Sequence, residues 1–212
     1  FPSLSFYGII KIRIKVGGLR MSKNEITKYR LAQAIKTCMR TTSVDDITVK
    51  SIVETCGVTR QTFYRNFLDK YDLINWYFDK LLLKSFEHMG SGRTASEGLT
   101  RKFEYIQEER VFFAAAFRCD DHNSLKDHDF ELILKFYTDL IEKKSGAPMD
   151  PELKFLLEFY CRASIDMTVQ WVLTGMQKTP AQLSKLLVSA MPARLSELFL
   201  KLGLLEKLSD HK

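Results

Sequence analysis

The sequence predicts an all-α fold, and three observations carry that prediction. From Asn24 onward, apolar residues recur three and four positions apart, the repeat of a helix with one buried face. Paired runs of alternating apolar and polar residues, which adjacent strands would need, are missing. Glycine and proline mostly fall between the periodic segments, at Gly57, Pro148, Pro151, Gly175 and Pro180.

The elements follow in order. Leu31, Ala34, Ile35, Cys38 and Met39 line one face of a first helix. Thr48 is placed to cap a short second helix whose inner face is Val49, Ile52, Val53 and Cys56. Gly57 stands where a left-handed helix stop is wanted. Thr59 can cap a third short helix with Phe63 and Phe67 turned inward, and Asp69-Lys70 ends it. A longer fourth helix carries Leu73, Ile74, Tyr77, Phe78, Leu81 and Leu82 on one stripe. After a loop over 90–98, helical segments are expected at about 96–109, 110–118 and 126–144, the last ended by Ser145-Gly146-Ala147-Pro148. Pro151 suits the first turn of a long helix running to about Gly175. Pro180 opens a last helix to about Leu202, with a kink expected at Pro192.

The stretch TVKSIVETCGVTRQTFYRNFLDKYDL, Thr48 to Leu73, has the physics of a helix-turn-helix. Two short helices meet at a glycine, and apolar residues hold them against the first helix. The third helix begins polar: Thr59, Arg60, Gln61, Thr62, Tyr64 and Arg65. The major groove of DNA admits one helix, and the residues near its N-terminus meet the base edges. Arg60 can grip guanine and Gln61 adenine, while the hydroxyls of Thr59, Thr62 and Tyr64 can reach phosphates or thymine methyls.

GVTRQTFYRNFLDKYDL also resembles the recognition-helix signature of the tetracycline-repressor (TetR) family. Gly57, Val58, Thr59, Thr62, Phe63, Tyr64, Phe67, Lys70 and Leu73 match it, as do Thr48, Val49 and Ile52 upstream; Asn66 replaces the usual His or Tyr. The resemblance covers residues 24–75. It implies that Tyr64 and Lys70 anchor DNA phosphates and that the protein is a homodimer whose variable C-terminal helical domain senses an effector. The candidate DNA-contacting set is therefore Thr48, Thr59, Arg60, Gln61, Thr62, Tyr64, Arg65 and Lys70. RQTFY followed by LINWYF is further similar to the dihydroxyacetone kinase regulator subgroup, some members of which are activators answering to a protein partner.

Charge divides along the chain. The net +6 of the 212 residues is carried by the N-terminal third: residues 1–20 hold Lys11, Arg13, Lys15 and Arg20 and no acid, and residues 21–70 hold nine bases against five acids. A basic head on a mildly acidic body suits a DNA binder with a second function. Residues 1–20 read as a non-native leader upstream of an initiator Met21, because Gly17-Gly18 can be encoded by a ribosome-binding-site-like GGAGGN; a basic arm reaching DNA is the alternative. The expected division is then 1–20 leader or arm, 21–70 DNA-binding domain, and 71–212 effector-sensing and dimerisation domain. No apolar run approaches the roughly eighteen residues of a membrane span. The four cysteines form no CxxC pair and read as buried thiols of a cytoplasmic protein.

The body is rich in aromatic residues, which suit either an apolar effector pocket or plain core. The helix after Pro151 has two apolar faces, one through Leu153, Leu156, Leu157, Tyr160, Ser164, Met167 and Trp171, the other adding Phe155, Phe159 and Val169, so burial on both sides is expected. With the last helix it could supply half of a four-helix dimer interface. Cys119, Asp120, Asp121, His122, Asp127, His128 and Asp129 include metal-ligand types, but their spacing matches no ligand pattern and a surface loop uses the same residues. No catalytic motif appears, and no cofactor is expected. The favoured expectation is a repressor on palindromic double-stranded DNA, gated by an effector in the body. An activator gated by a protein partner is the alternative, and a metal-dependent helical enzyme is the alternative from another class.

Overall fold

Capping accounts for where most helices begin. In the computed structural model, which describes residues 22–87, 89, 92–119 and 125–206, ten helices form among the described residues. They are α1 Lys23–Cys38, α2 Val49–Cys56, α3 Arg60–Tyr64, α4 Lys70–Ser85, α5 Ala95–Glu108, α6 Arg110–Ala116, α7 Leu125–Ser145, α8 Pro151–Leu173, α9 Pro180–Ser189 and α10 Ala193–Lys201. The expected leader over 1–20 lies outside the described residues. Thr48, Thr94 and Thr179 close capping boxes with Ser51, Glu97 and Gln182, and Ser22, Thr59, Asp69 and Asp150 each accept an N–H of the first turn. An isolated bridge between Met89 and Arg93 is the extended pairing present among the described residues.

One apolar core runs from α1 to Leu204. In the head, Leu31, Ile35, Ile52 and Phe63 are fully buried between α1, α2 and α3. In the body, Phe103, Phe112, Phe113 and Phe199 fill the centre. Helix α4 joins the two. Trp76 packs edge-on against Phe67 and Tyr29 of the head, while Phe78 meets Phe113 and Tyr77 meets Phe112 in the body. Helix α9 lies on α5, where Ser184 Oγ donates to Ser96 O at 2.8 Å. The body also holds a buried ion pair: Lys102 Nζ donates to both carboxylate oxygens of Asp129, at 2.9 and 2.7 Å. Burial beside it pushes the Cys161 thiol up to about 12.

Three expectations need correction. The last helix is two helices, α9 and α10. Proline lacks the N–H that the ladder needs, and its ring pushes the preceding residue out of helical geometry, so at Pro192 the chain turns instead of kinking. The cysteines are all free, but only Cys119 and Cys161 are buried; Cys38 and Cys56 are half-exposed. Helix α8 is buried on one side alone. Its inner face packs against α6, α7 and α10, while Phe155, Phe159 and Met167 are 66%, 60% and 50% exposed, because no described element crosses that side.

His128 of α7 stands 2.6 Å from Asp79 of α4, and this hydrogen bond raises the imidazole pKa above its usual 6.5. A group whose pKa is raised by folding contributes stability that is fully present below its unfolded pKa and is lost as pH rises through the folded value. Asp79→Asn should therefore lower the urea midpoint more at about pH 5.5 than at about pH 8.5. Equal losses at both pH values would contradict the pairing.

Candidate nucleic-acid interface

The head places its third helix on the surface through contacts made underneath it. Gly57 adopts φ 69 and ψ 40, the left-handed conformation in which a Cβ is unfavourable. That turn lets Val58 N–H donate to Val53 O at 3.1 Å and redirects the chain into α3. Arg30 of α1 reaches across and donates to Cys56 O at 3.0 Å, satisfying a carbonyl at the C-terminus of α2. Phe63 and Phe67 sink into the core at 0% and 3% exposure, which fixes the rotation of α3 about its axis.

The opposite edge of α3 is left free. Arg60, Gln61, Tyr64 and Arg65 are exposed, and Thr62 is half-exposed. Thr59 is exposed too, but its hydroxyl accepts Thr62 N–H at 3.2 Å and lies 3.0 Å from the Thr62 hydroxyl, so it holds the start of α3. Thr48 does the same for α2, accepting Ser51 N–H at 3.1 Å. Lys70, in the first turn of α4, is brought to the same region. Its Nζ donates to Asp45 O at 2.7 Å and Ile47 O at 3.0 Å, so it ties α4 to the segment leading into Thr48. An ammonium has three donors, and this leaves one for a further partner.

Sequence reading missed several residues here. Arg30 looked like one base among nine, and nothing local shows that it reaches a carbonyl 26 positions away. Asn66, the departure from the family signature, donates to Thr62 O at 2.7 Å and holds the end of α3. Leu68 is 83% exposed beside the same edge, an apolar tip on an otherwise polar surface.

The other candidate sites look different. A cavity in the core of the body, lined by Lys102, Phe103, Tyr137, Tyr160, Ser164 and Thr168 among others, measures about 20 Å³, room for a single water. The described members of the 119–129 cluster are dispersed: the Cys119 thiol donates to Asp45, His128 pairs with Asp79, and Asp129 with Lys102. Asp120, Asp121 and His122 lie outside the described residues. Among the described residues, no three metal-capable side chains come together.

A buried three-helix head presenting a polar helix edge, joined to a helical body, is the architecture of a helix-turn-helix transcription regulator. Residues 93–192 match the TetR-type model described as a transcriptional regulator C-terminal region. The chain is 25% identical over 176 residues to the HTH-type dhaKLM operon transcriptional activator DhaS of Lactococcus lactis subsp. lactis (strain IL1403), covering 81% of this chain and 94% of that one. Its fold is similar to the solved structure of a dihydroxyacetone kinase operon activator DhaS, with a TM-score of 0.57 at 19% identity over 86% of this chain and 99% of that one. Residues 93–192 therefore resemble the C-terminal region of TetR-type regulators, and most of the chain is similar to a transcriptional activator.

The turn generates a stability prediction. Gly57→Ala should cost about 1–2 kcal/mol in urea unfolding, since alanine pays a steric penalty at positive φ, and Gly57→Asn should cost less. The Cβ itself would meet open space, so an alanine variant as stable as the parent would show that the turn does not need positive φ.

Proposed function

We propose that this protein is a cytoplasmic, sequence-specific regulator that binds double-stranded operator DNA as a homodimer on an inverted repeat. The observation that carries this reading is the exposed edge Arg60–Gln61–Tyr64–Arg65, backed by fully buried Phe63. In this reading residues 21–70 form the DNA-binding domain and 71–212 the sensing and dimerising domain. Arg60 and Gln61, at the N-terminal end of α3, meet base edges. Tyr64 and the free donor of Lys70 meet phosphates, with Thr48, Thr59, Thr62 and Arg65 contributing at the flanks. The exposed stripe Phe155, Phe159 and Met167 on α8 is the face by which two copies associate, since an apolar stripe of this kind on a TetR-type body is best covered by its own symmetry mate.

Gating by a protein partner, with activation of the target genes, is the mode we favour. Two observations support it over a repressor released by an enclosed small molecule. The similar protein from Lactococcus lactis is an operon activator. Among the described residues the core cavity beside Phe103 and Tyr160 is far below the volume that holds a metabolite. No cofactor is needed for either mode.

Binding-site selection tests the reading. The selected DNA should be an inverted repeat. Arg60→Ala and Gln61→Ala should each cost about 1–3 kcal/mol on it and relax preference at one position per half-site. Tyr64→Phe should weaken all sequences alike. Lys70→Gln, which can still donate to Asp45 O and Ile47 O, should also act on all sequences and lower the salt slope by about one unit. A change of selected sequence with Tyr64→Phe but not with Gln61→Ala would reverse the orientation assigned to α3.

The dimer face has its own test. In sedimentation at micromolar concentration the parent should be a dimer, and a Phe155→Glu/Phe159→Glu variant a folded monomer with much weaker operator binding. A dimer that survives both substitutions would place the interface elsewhere.

A further inference from the structure

Between the head and the body lies an open cleft of about 300 Å³ that the reading above leaves unused. Its head wall is the turn 39–45, which follows α1; its body wall is Ala115, Arg118 and Cys119, at the end of α6. Arg40 stands on one wall and Arg118 on the other, both exposed to solvent. Neither guanidinium forms an ion pair or a hydrogen bond in the described structure, whereas Arg101, Arg162 and Arg194 of the body each meet a carboxylate. Thr41 and Thr42 line the same space, and their hydroxyls are likewise unengaged among the described residues. Among the described residues one acid lines the cleft, Asp45, and its carboxylate accepts the Cys119 thiol at 3.1 Å. The described lining therefore carries two positive charges against one negative, with two threonines beside them.

A guanidinium is a planar fork that fits the oxygens of a phosphate or carboxylate, and two forks on facing walls call for an anion with oxygens on more than one side. A tetrahedral phosphate has them; a carboxylate offers two oxygens in one plane and suits a single fork. The volume lies at the lower end for small-molecule sites. We propose that this cleft binds a small phosphate-bearing anion, gripped by Arg40 from the head and Arg118 from the body. A ligand bridging the two walls would fix the angle between them, so it would act on the reading head from outside the core. Its effect on operator affinity rests on the DNA-binding reading above; its binding does not.

Calorimetric titration of the full chain, without DNA, tests the site with inorganic phosphate and with methyl phosphate, against sodium chloride at equal ionic strength. Saturable binding of either phosphate is expected, and tighter binding of the ester would assign the site to phosphate monoesters. A charge-assisted hydrogen bond sets the scale: Arg40→Gln and Arg118→Gln should each weaken binding about tenfold or more. Ala115→Glu, which leaves both arginines and plants a carboxylate in the wall, should weaken it as well, and circular dichroism checks that each variant is folded. Heats matched by chloride, or folded variants that all bind as the parent does, would overturn the proposal. The titration contains no DNA, so failure here leaves the operator reading standing, and failure of operator binding leaves this site standing.

Discussion

The arrangement depends on one helix, α4, serving two cores at once, and on the polar contact that locks it. Lys36 of α1 pairs with Glu109 at the α5–α6 corner, and Tyr77 of α4 donates to the same carboxylate at 2.9 Å. Lys36 Nζ also donates to the Tyr77 hydroxyl at 3.3 Å and sits over its ring. Head, connecting helix and body therefore meet at three side chains. The ion pair is mostly shielded from water, at 14% and 23% exposure, so removing one partner would strand a charge in a poorly solvated place. A head of about fifty residues buries too little surface to be robust alone. It borrows stability from the body through this junction, and in the same way the body acquires a handle on the head.

The recognition edge follows from that support. A five-residue helix has no stability of its own in water, because nucleation costs more than so few hydrogen bonds return. Helix α3 persists because Phe63 and Phe67 are buried below it, Thr59 caps it and Asn66 closes it. Lys28 stacks over Phe67 and Trp76 at 5.1 and 5.5 Å, carrying the contact on to α4. The exposed residues are thus positioned by buried ones, and any shift of α4 against the body reaches Arg60 and Gln61 through two aromatic layers.

Local chemistry made much of this legible in the sequence. Gly57, the caps at Thr48 and Thr59, Pro151 at a helix start, and the inward Phe63 and Phe67 each depend on neighbours within a few positions, so spacing alone reveals them. Contacts across long separations were hidden. Arg30 reaching Cys56, Lys70 holding Asp45 and Ile47, and Lys102 paired with Asp129 all join residues more than twenty positions apart. Periodicity also reports which side of a helix is apolar, not what covers it. That is why α8 read as buried on two sides when the described residues of this chain cover one. The break at Pro192 was half visible: proline marked the place, but whether the helix bends or ends depends on where Leu195 and Phe199 must go to be buried.

The central claim, that head and body are one cooperative unit joined through α4, can be tested with the protein's two tryptophans. Trp76 lies at the head junction beside Tyr29 and Phe67, and Trp171 lies in the body beside Phe103. Trp171→Phe leaves fluorescence reporting on the first place, and Trp76→Phe leaves it reporting on the second. Each variant's urea transition should be followed by fluorescence and by circular dichroism together. In each variant the two signals should trace one transition with the same midpoint, as a single cooperative unit requires. If the Trp76 signal changed at clearly lower urea than the helix content, the head would be melting on its own, and the account of a head positioned by its body would be wrong.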